Sequence, residues 1–231
     1  MTKFYHLHSP KIDDDITPLY GEKRWLSKYK LAEWGEDTHK SLGAITCPVN
    51  PQHNRAADRA SVLCLIISTP YFGDFTWTWQ DECIITDRVL NLFRQAQFTG
   101  FNVRPVIIER INTKSRRNSE VMPKLWELVH FGKGGDPLSV SGVRLIYKCP
   151  ACGLQRYSSY SKGLQIDKKQ WDGSDFFSVN SYPKLILVSE RVKDFIITNN
   201  LNNCFLTPSE QMVWPSGVIK PEEIYPYSSN N

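Results

Sequence analysis

The stretch Ile85-Thr86-Asp87-Arg88-Val89 recurs as Val188-Ser189-Glu190-Arg191-Val192, 103 residues further along a chain of 231 residues. The correspondence continues without a gap as far as Pro105 and Pro208. In each copy an apolar run leads to a hydroxyl side chain and then an acid, which is the pattern of a strand followed by a capped helix. The sequence therefore predicts two diverged strand-helix-strand repeats in an α+β fold with mixed sheets.

The predicted helices span 86–99 and 189–200. Apolar side chains recur at helical spacing in the first copy, at Val89, Leu92, Phe93 and Ala96. Gly100 and Asn203 stand at matching positions and suit a left-handed residue at a helix C-terminus. The spacing therefore favours duplication of a module of about a hundred residues.

A cysteine motif precedes the strand and helix of each copy. Cys149-Pro150-Ala151-Cys152-Gly153 is typical of half of a zinc ribbon, because two thiolates three residues apart can bind one tetrahedral ion. In the first copy Cys47 is in place, but Asn50 stands where the second cysteine should be. His53 could supply the fourth ligand of a Cys3His zinc site. The alternative is a degenerate motif that only turns a loop.

The remaining cysteines, Cys64, Cys83 and Cys204, lie in apolar segments and are predicted to be core residues. In a chain that is expected to be cytosolic, six cysteines favour reduced thiols or a metal over disulfides. His6 and His8 alternate on a predicted strand and are expected at the surface. The acidic run 13–15 is interpreted as a solvated turn, with a metal site as the alternative. The HExxH and GxSxG motifs are missing from the sequence, so we predict that the protein is not an enzyme.

Two segments are candidates for contact with a partner. Phe75, Trp77 and Trp79 alternate with polar residues, which places the three aromatic rings on one face of a strand. That face either packs on a helix or is exposed to a partner. The polar stretch 110–117 is either a solvated loop or a phosphate-contacting patch. Its candidate residues are Arg110, Lys114, Arg116 and Arg117.

The pattern divides the chain into four parts. They are an N-terminal repeat with the degenerate cysteine motif (1–109), a linker loop and helix (110–142), a C-terminal repeat with the CPACG motif (143–213) and an extended tail (214–231). Further helices are predicted at 26–34 and 122–131, and a buried strand at 61–68.

Composition limits the class of protein. Hydrophobic residues make up 41% of the chain and aromatic residues 12%, which supports a packed core, and the net charge is +4. Apolar runs all fall short of the roughly 18 residues of a membrane span, and the first residues lack the pattern of a signal peptide. These features predict a cytoplasmic protein with no membrane partner.

The order of the motifs resembles the double-CXXCG-motif proteins, a family of myxobacterial paralogues that includes immunity proteins of swarming-inhibition toxin systems. The matching segments are Phe4-Tyr5-His6-Leu7, Lys23-Arg24-Trp25, Trp34-Gly35 with Cys47-Pro48, Cys149 to Gly153, and Leu185 to Val192 followed by Val213. They cover most of the chain. The first box departs from the family pattern, because Asn50 and no glycine follow Cys47.

The resemblance implies a non-catalytic cytosolic protein that binds a cognate toxin and neutralises it. It also implies that the two cysteine boxes come together on zinc. The residues leave a second function open, a zinc-ribbon nucleic-acid binder that uses the basic side chains of the polar stretch 110–117. A protein toxin is the expected partner, and nucleic acid is the alternative.

Overall fold

The computed structural model describes residues 3–10, 31–36, 44–53, 55–56, 62–69, 72–111, 123–160 and 162–212. Within these ranges the strands are β1 (Phe4–His8), β2 (Glu33–Trp34), β3 (Ala44–Ile45), β4 (Arg55–Ala56), β5 (Leu63–Ile67), β6 (Phe75–Trp77), β7 (Cys83–Thr86), β8 (Phe101–Ile111), β9 (Leu125–His130), β10 (Gly132–Lys133), β11 (Leu145–Lys148), β12 (Gln155–Tyr157), β13 (Phe176–Val179), β14 (Tyr182–Ser189) and β15 (Phe205–Pro208). The helices are α1 (Asp87–Gln95) and α2 (Glu190–Thr198).

Both helices begin where the repeated pattern places them. Thr86 Oγ1 accepts a hydrogen bond from the backbone N–H of Val89, and Ser189 Oγ accepts one from that of Val192, each at 3.4 Å. A hydroxyl N-cap of this kind contributes about 1 kcal/mol, and the acid that follows it favours the positive end of the helix dipole. The predicted α+β class with capped helices is therefore confirmed at these two elements.

The helices end earlier than predicted. Gln97 (φ 54°) and Asn200 (φ 50°) adopt the left-handed conformation directly after the two C-caps and stop the helices there. Gly100 (φ 83°) and Asn203 (φ 60°) are also left-handed, as predicted, but they lie in the loops that lead to the next strands. The backbone of each loop therefore turns twice before it returns to a sheet.

The strands form two mixed sheets and two small ribbons. One sheet has the order β10-β13-β14-β1-β15 and the other the order β2-β5-β8-β9-β7-β6. Most neighbours in the sheets are antiparallel, whereas β10 pairs with β13 and β5 with β8 in parallel. The ribbons β3-β4 and β11-β12 are antiparallel pairs that stand apart from both sheets.

The two sheets and both helices share one core. Phe93 of α1 is fully buried, and its ring lies 6.3 Å from that of Phe75, 5.4 Å from that of Phe176 and 6.2 Å from that of Phe195, measured between centroids. These rings come from the six-stranded sheet, the five-stranded sheet and α2 respectively. Burial of aromatic side chains of this size is the main source of stability at such a junction.

The predicted helix at 122–131 is wrong, because its described part forms strand β9 between β7 and β8. Leu125, Leu128 and Val129 recur at helical spacing, but a strand at the centre of a sheet buries both faces and loses its alternation. Long-range pairing on both edges decides the outcome. In the predicted helix at 26–34, Glu33–Trp34 forms β2, and residues 26–30 lie outside the described ranges.

The expected surface position of His6 and His8 is also wrong. Strand β1 lies between β14 and β15, so both of its edges are paired. His8 is buried, and its Nε2 lies 2.9 Å from Thr207 Oγ1. His6 is half-buried and stacks on the His8 ring at a centroid distance of 4.7 Å.

These two rings predict a loss of stability in mild acid. Burial, and after it the neighbouring His8, lowers the pKa of His6 well below its ordinary value. In the unfolded chain His6 binds a proton near pH 6.5, whereas in the folded chain it stays neutral at that pH. The free energy of unfolding therefore falls as the pH drops through that value. We expect a loss of up to about 1.4 kcal/mol per pH unit from this group.

Urea unfolding at pH 7.5 and pH 5.5, in EDTA to remove any metal contribution, measures this effect. His6→Gln stays neutral at both values and should show a smaller difference between them than the wild type. An equal acid shift in His6→Gln would assign the effect to other groups.

Candidate metal centre

The ribbon β11-β12 carries the second cysteine motif on its turn. Cys149 follows the last residue of β11, and its backbone N–H donates to the Leu154 carbonyl at 2.8 Å. The N–H of Gly153 donates back to the Cys149 carbonyl at 2.9 Å, and Gly153 has a positive φ of 70°. Glycine adopts this conformation without strain, and the tight turn brings Cys149 and Cys152 to one side.

The first cysteine motif reaches the same place from the other ribbon. Cys47 lies two residues after β3, and the 3-10 turn Pro51–His53 presents His53. Both side chains are buried. The N–H of His53 donates to the Asn50 carbonyl at 3.0 Å, which closes the turn.

Four ligand atoms of these motifs converge. One atom each from Cys47, His53, Cys149 and Cys152 lies within 4.8 Å of every other. The Sγ atoms of Cys47 and Cys149 are 3.7 Å apart, and Cys152 Sγ is 3.9 Å from His53 Nδ1. Two sulfurs bound to one tetrahedral zinc at about 2.3 Å would lie about 3.8 Å apart. The Cys3His group predicted from the sequence can therefore hold a metal ion.

Asn50 is not a metal ligand in place of the missing cysteine, but its side chain contacts the candidate ligand His53. Its side-chain amide lies 3.3 Å from Nε2 of His53, on the ring edge opposite the Nδ1 that faces Cys152. The Asn50 Oδ1 also accepts the backbone N–H of Gln52 at 2.9 Å. A partner on the second ring nitrogen fixes the orientation of a metal-binding imidazole. The atom of Asn50 nearest the ring is Nδ2, a donor, whereas a metal on Nδ1 leaves the ring proton on Nε2. Asn50 would therefore orient the bound ring by turning its Oδ1 to accept from Nε2, in exchange for the bond to Gln52.

The cluster is arranged to favour a thiolate at Cys149. The backbone N–H of Cys152, followed by that of Ala151 and the side chain of Tyr147, lowers the pKa of Cys149 to about 5. The N–H of Leu154 favours the thiolate of Cys152 as well, but burial and the adjacent Cys149 and Cys47 raise the pKa of Cys152 overall. The Cys149 thiolate is therefore available at neutral pH, and a cation would be needed to hold a Cys152 thiolate beside it.

Sequence reasoning did not identify Asn50 and Tyr147 as parts of the site. The Tyr147 ring lies 5.4 Å from that of His53, measured between centroids, and covers one side of the cluster. Asn50 precedes His53 by three residues, a spacing that could have indicated a shared turn. No local signal links Tyr147 to His53, because the contact depends on how the two ribbons approach each other.

Replacement of Asn50 by alanine tests its contact with the imidazole. We expect zinc affinity to fall roughly 10- to 100-fold, which is the usual cost of removing a partner that orients a metal ligand. Competition with a chromogenic chelator measures the change. The exposed side chain of Gln52 lies on the same turn, so Gln52→Ala is the matched control and should bind zinc as the wild type does. Equal affinities in the two variants would remove Asn50 from the site.

The other cysteines lie in or beside the core, in line with the prediction. Cys64 and Cys83 are buried and Cys204 is half-buried. Burial, followed by the neighbouring Cys204, raises the pKa of Cys83 well above its ordinary value, and burial, followed by Asp74, raises that of Cys204. All six cysteines are free, and the 3.7 Å between Cys47 and Cys149 far exceeds a disulfide length of about 2.05 Å.

The candidate partner-binding residues fall in different surroundings. Trp77 is 2% exposed, and its ring N–H donates to the Asn203 carbonyl at 2.9 Å, so it is a core residue. Trp79 lies beyond the end of β6 and is 67% exposed. The alternation therefore has a structural role at Trp77 and leaves Trp79 available at the surface.

The polar stretch is described only at its beginning. Arg110 is exposed near the end of β8. Lys114, Arg116 and Arg117 lie outside the described residues, as do the acidic run 13–15 and the tail 214–231. In the part of the chain that the structure describes, neither helix has the length and apolar character to cross a membrane.

Comparison with protein-family models gives no match, and comparison with curated proteins gives none either. The fold and the site therefore define the class of molecule that can be stated. It is an α+β protein in which two ribbons bring a Cys3His group within metal-binding distance.

Proposed function

We propose that the protein is a zinc-stabilised, non-catalytic binding protein that neutralises a cognate toxin in the cytoplasm. The observation that carries the zinc part is the approach of Cys47 and His53 to Cys149 and Cys152 across two separate ribbons. The resemblance of the motif order to toxin-immunity proteins supports the binding role.

The donor set favours zinc. Three sulfurs and one imidazole nitrogen suit a borderline-soft ion, whereas calcium and magnesium require oxygen ligands. Four protein ligands close a tetrahedral site and leave no position for a substrate, which is the difference between structural and catalytic zinc. A structural ion would join 47–53 to 149–152 and hold the two ribbons together.

Duplication of one module is part of the same proposal, because it explains why each ribbon supplies two ligands. Asp74 and Asp175 support it. Each carboxylate pairs with an arginine on the helix of its own copy, Arg88 or Arg191. Each carboxylate also makes a contact between the copies, since Asp74 accepts the backbone N–H of Asn202 and Asp175 that of Thr99, both at 3.0 Å.

Growth rescue tests the binding role. Toxins encoded next to this protein are expressed in a sensitive host with and without it, and binding is measured by calorimetry on the purified pair. Neutralisation of one such toxin, with a complex of fixed stoichiometry, is the expected result. Failure to bind or neutralise any neighbouring toxin would overturn the immunity role. The zinc proposal would be unaffected, because metal analysis tests it separately.

The exposed Trp79 provides a specific variant for that test. A large exposed aromatic side chain is the type of residue that dominates binding energy at protein interfaces. Trp79→Ala should keep the fold and its zinc. If Trp79 lies at the centre of the toxin interface, the variant should weaken the complex at least 30-fold, which corresponds to about 2 kcal/mol. Unchanged affinity would place the interface elsewhere.

A further inference from the structure

The two sheets contain the same four-strand arrangement. In one, the order β6-β7-β9-β8 places β9 between the strand before α1 and the strand after it. In the other, the order β13-β14-β1-β15 places β1 between the strand before α2 and the strand after it. The chain order differs, because β9 follows the other three strands of its arrangement in sequence, whereas β1 precedes the other three of its own.

The register shows that β1 and β9 occupy equivalent positions. On one edge, Trp126 of β9 lies opposite Ile85, and Tyr5 of β1 lies opposite Val188. On the other edge, Trp126 lies opposite Pro105, and Tyr5 lies opposite Pro208. Ile85 and Val188 are 103 residues apart, and so are Pro105 and Pro208. The pairings on the two edges therefore give the same alignment of β1 with β9.

The sequences of the two strands agree with this alignment. Phe4-Tyr5-His6-Leu7 stands over Leu125-Trp126-Glu127-Leu128, so apolar, aromatic, polar and leucine positions coincide. The offset between β1 and β9 is 121 residues, whereas the repeated helices are 103 residues apart. A comparison of the sequence with itself at a single offset therefore does not detect this match.

After each of these strands the chain crosses to the other sheet. Following β1, the N–H of Ala32 donates to the Trp77 carbonyl at 2.8 Å, at the edge of the six-stranded sheet. Following β9, the N–H of Gly134 donates to the Ser178 carbonyl at 2.8 Å, at the edge of the five-stranded sheet. Trp77 and Ser178 follow Phe75 and Phe176 by two residues each, so the crossings are reciprocal.

We infer that residues 3–111 and 123–212 are two halves that exchange their first strands, so that each half is the binding partner of the other. This inference rests on the proposed duplication and not on zinc or the toxin. Each half has a gap between two of its strands, β7 and β8 in the first half and β14 and β15 in the second. An apolar strand from the other half fills the gap and forms hydrogen bonds with both neighbours. Strands β7, β8, β14 and β15 would each lose a row of backbone partners if no strand filled these positions.

The exchange makes the two halves interdependent. An inner strand of each sheet comes from the other half, and the shared core around Phe93 covers the junction. The candidate metal centre lies across the same division, with Cys47 and His53 from the first half and Cys149 and Cys152 from the second. Neither half alone contains a complete four-strand arrangement or a complete ligand set.

Cross-linking in the full chain tests the exchange. In the structure Asn102 of β8 lies opposite Val129 of β9, whereas a fold without exchange would place His8 opposite Asn102 by the alignment of β1 with β9. Asn102→Cys with Val129→Cys should therefore form a disulfide in oxidised glutathione, and Asn102→Cys with His8→Cys should remain reduced. Peptide mapping by mass spectrometry identifies the linked residues among the native thiols.

A cleavable chain gives the second readout. A protease site is inserted between Arg116 and Arg117 and cut after folding, and EDTA is present so that a metal cannot hold the fragments together. The two fragments should elute as one 1:1 complex of the size of the intact chain, and the Asn102/Val129 disulfide should link them on a non-reducing gel.

Two results would overturn the exchange. One is a disulfide between residues 102 and 8 in place of 102 and 129, and the other is separation of the cut fragments in EDTA. A complex that survives EDTA in a protein that binds no zinc would keep the exchange and reject the metal proposal, so the two failures are distinguishable.

Discussion

Replacement of Cys149 by serine is expected to remove bound zinc and to lower the thermal midpoint of unfolding by roughly 8–16 °C. A ligand at about 1,000 times its dissociation constant adds about 4 kcal/mol, and about 1 kcal/mol shifts the midpoint of a chain of this size by roughly 2–4 °C. Serine cannot replace the thiolate, so one of the four ligands is lost. Metal analysis and calorimetry on zinc-loaded protein measure both effects.

Cys64→Ser provides the matched control. Cys64 is also a buried cysteine, but it lies on β5, and its Sγ contacts the Val62 carbonyl at 3.8 Å. This variant loses a buried thiol and should keep one zinc per chain. Equal zinc content in Cys149→Ser and the wild type would contradict the assignment of the site, as would loss of zinc in Cys64→Ser alone.

Replacement of Phe93 by alanine is expected to reduce the free energy of unfolding by roughly 3–5 kcal/mol, the usual cost of truncating a buried phenylalanine. The ring is fully buried and contacts aromatic rings of both sheets and of α2. Its loss opens a cavity at the point where the two sheets meet. Urea unfolding followed by circular dichroism and tryptophan fluorescence measures the change.

Trp79→Ala is the control for Phe93→Ala, because it removes an aromatic side chain that is exposed. It should change the free energy of unfolding by no more than about 0.5 kcal/mol. If the two sheets share one core, both probes should also report a single transition in Phe93→Ala. A loss below about 1 kcal/mol in Phe93→Ala would contradict the expected contribution of this ring. Two separate transitions would show that the sheets have independent cores.

The local features of the fold could be predicted from the sequence. Thr86 and Ser189 identify the helix starts, because N-caps depend on a few adjacent residues. Gly100 and Asn203 were correctly predicted to be left-handed for the same reason. The position of the helix ends was missed, since Gln97 is not a typical left-handed residue.

Long-range pairing could not be predicted. Strand β9 was interpreted as a helix because its apolar spacing fits both structures, and only burial between two strands decides between them. The histidines of β1 were placed at the surface because their strand partners lie about 180–200 residues away in sequence.

The candidate site was predictable in its ligands but not in its surroundings. The CPACG motif and the offset of Cys47 identified the four residues that the structure brings within metal-binding distance. Asn50 was treated as a defect in the motif, whereas it contacts the His53 ring. Tyr147 reaches the cluster only through the approach of the two ribbons, which no spacing encodes.

X-ray absorption at the zinc edge, on protein purified with one zinc per chain, tests the central claim most directly. Binding by Cys47, His53, Cys149 and Cys152 predicts three sulfurs at about 2.3 Å and one nitrogen at about 2.0 Å. A first shell of oxygens and nitrogens, or a protein that stays metal-free in excess zinc at neutral pH, would contradict it.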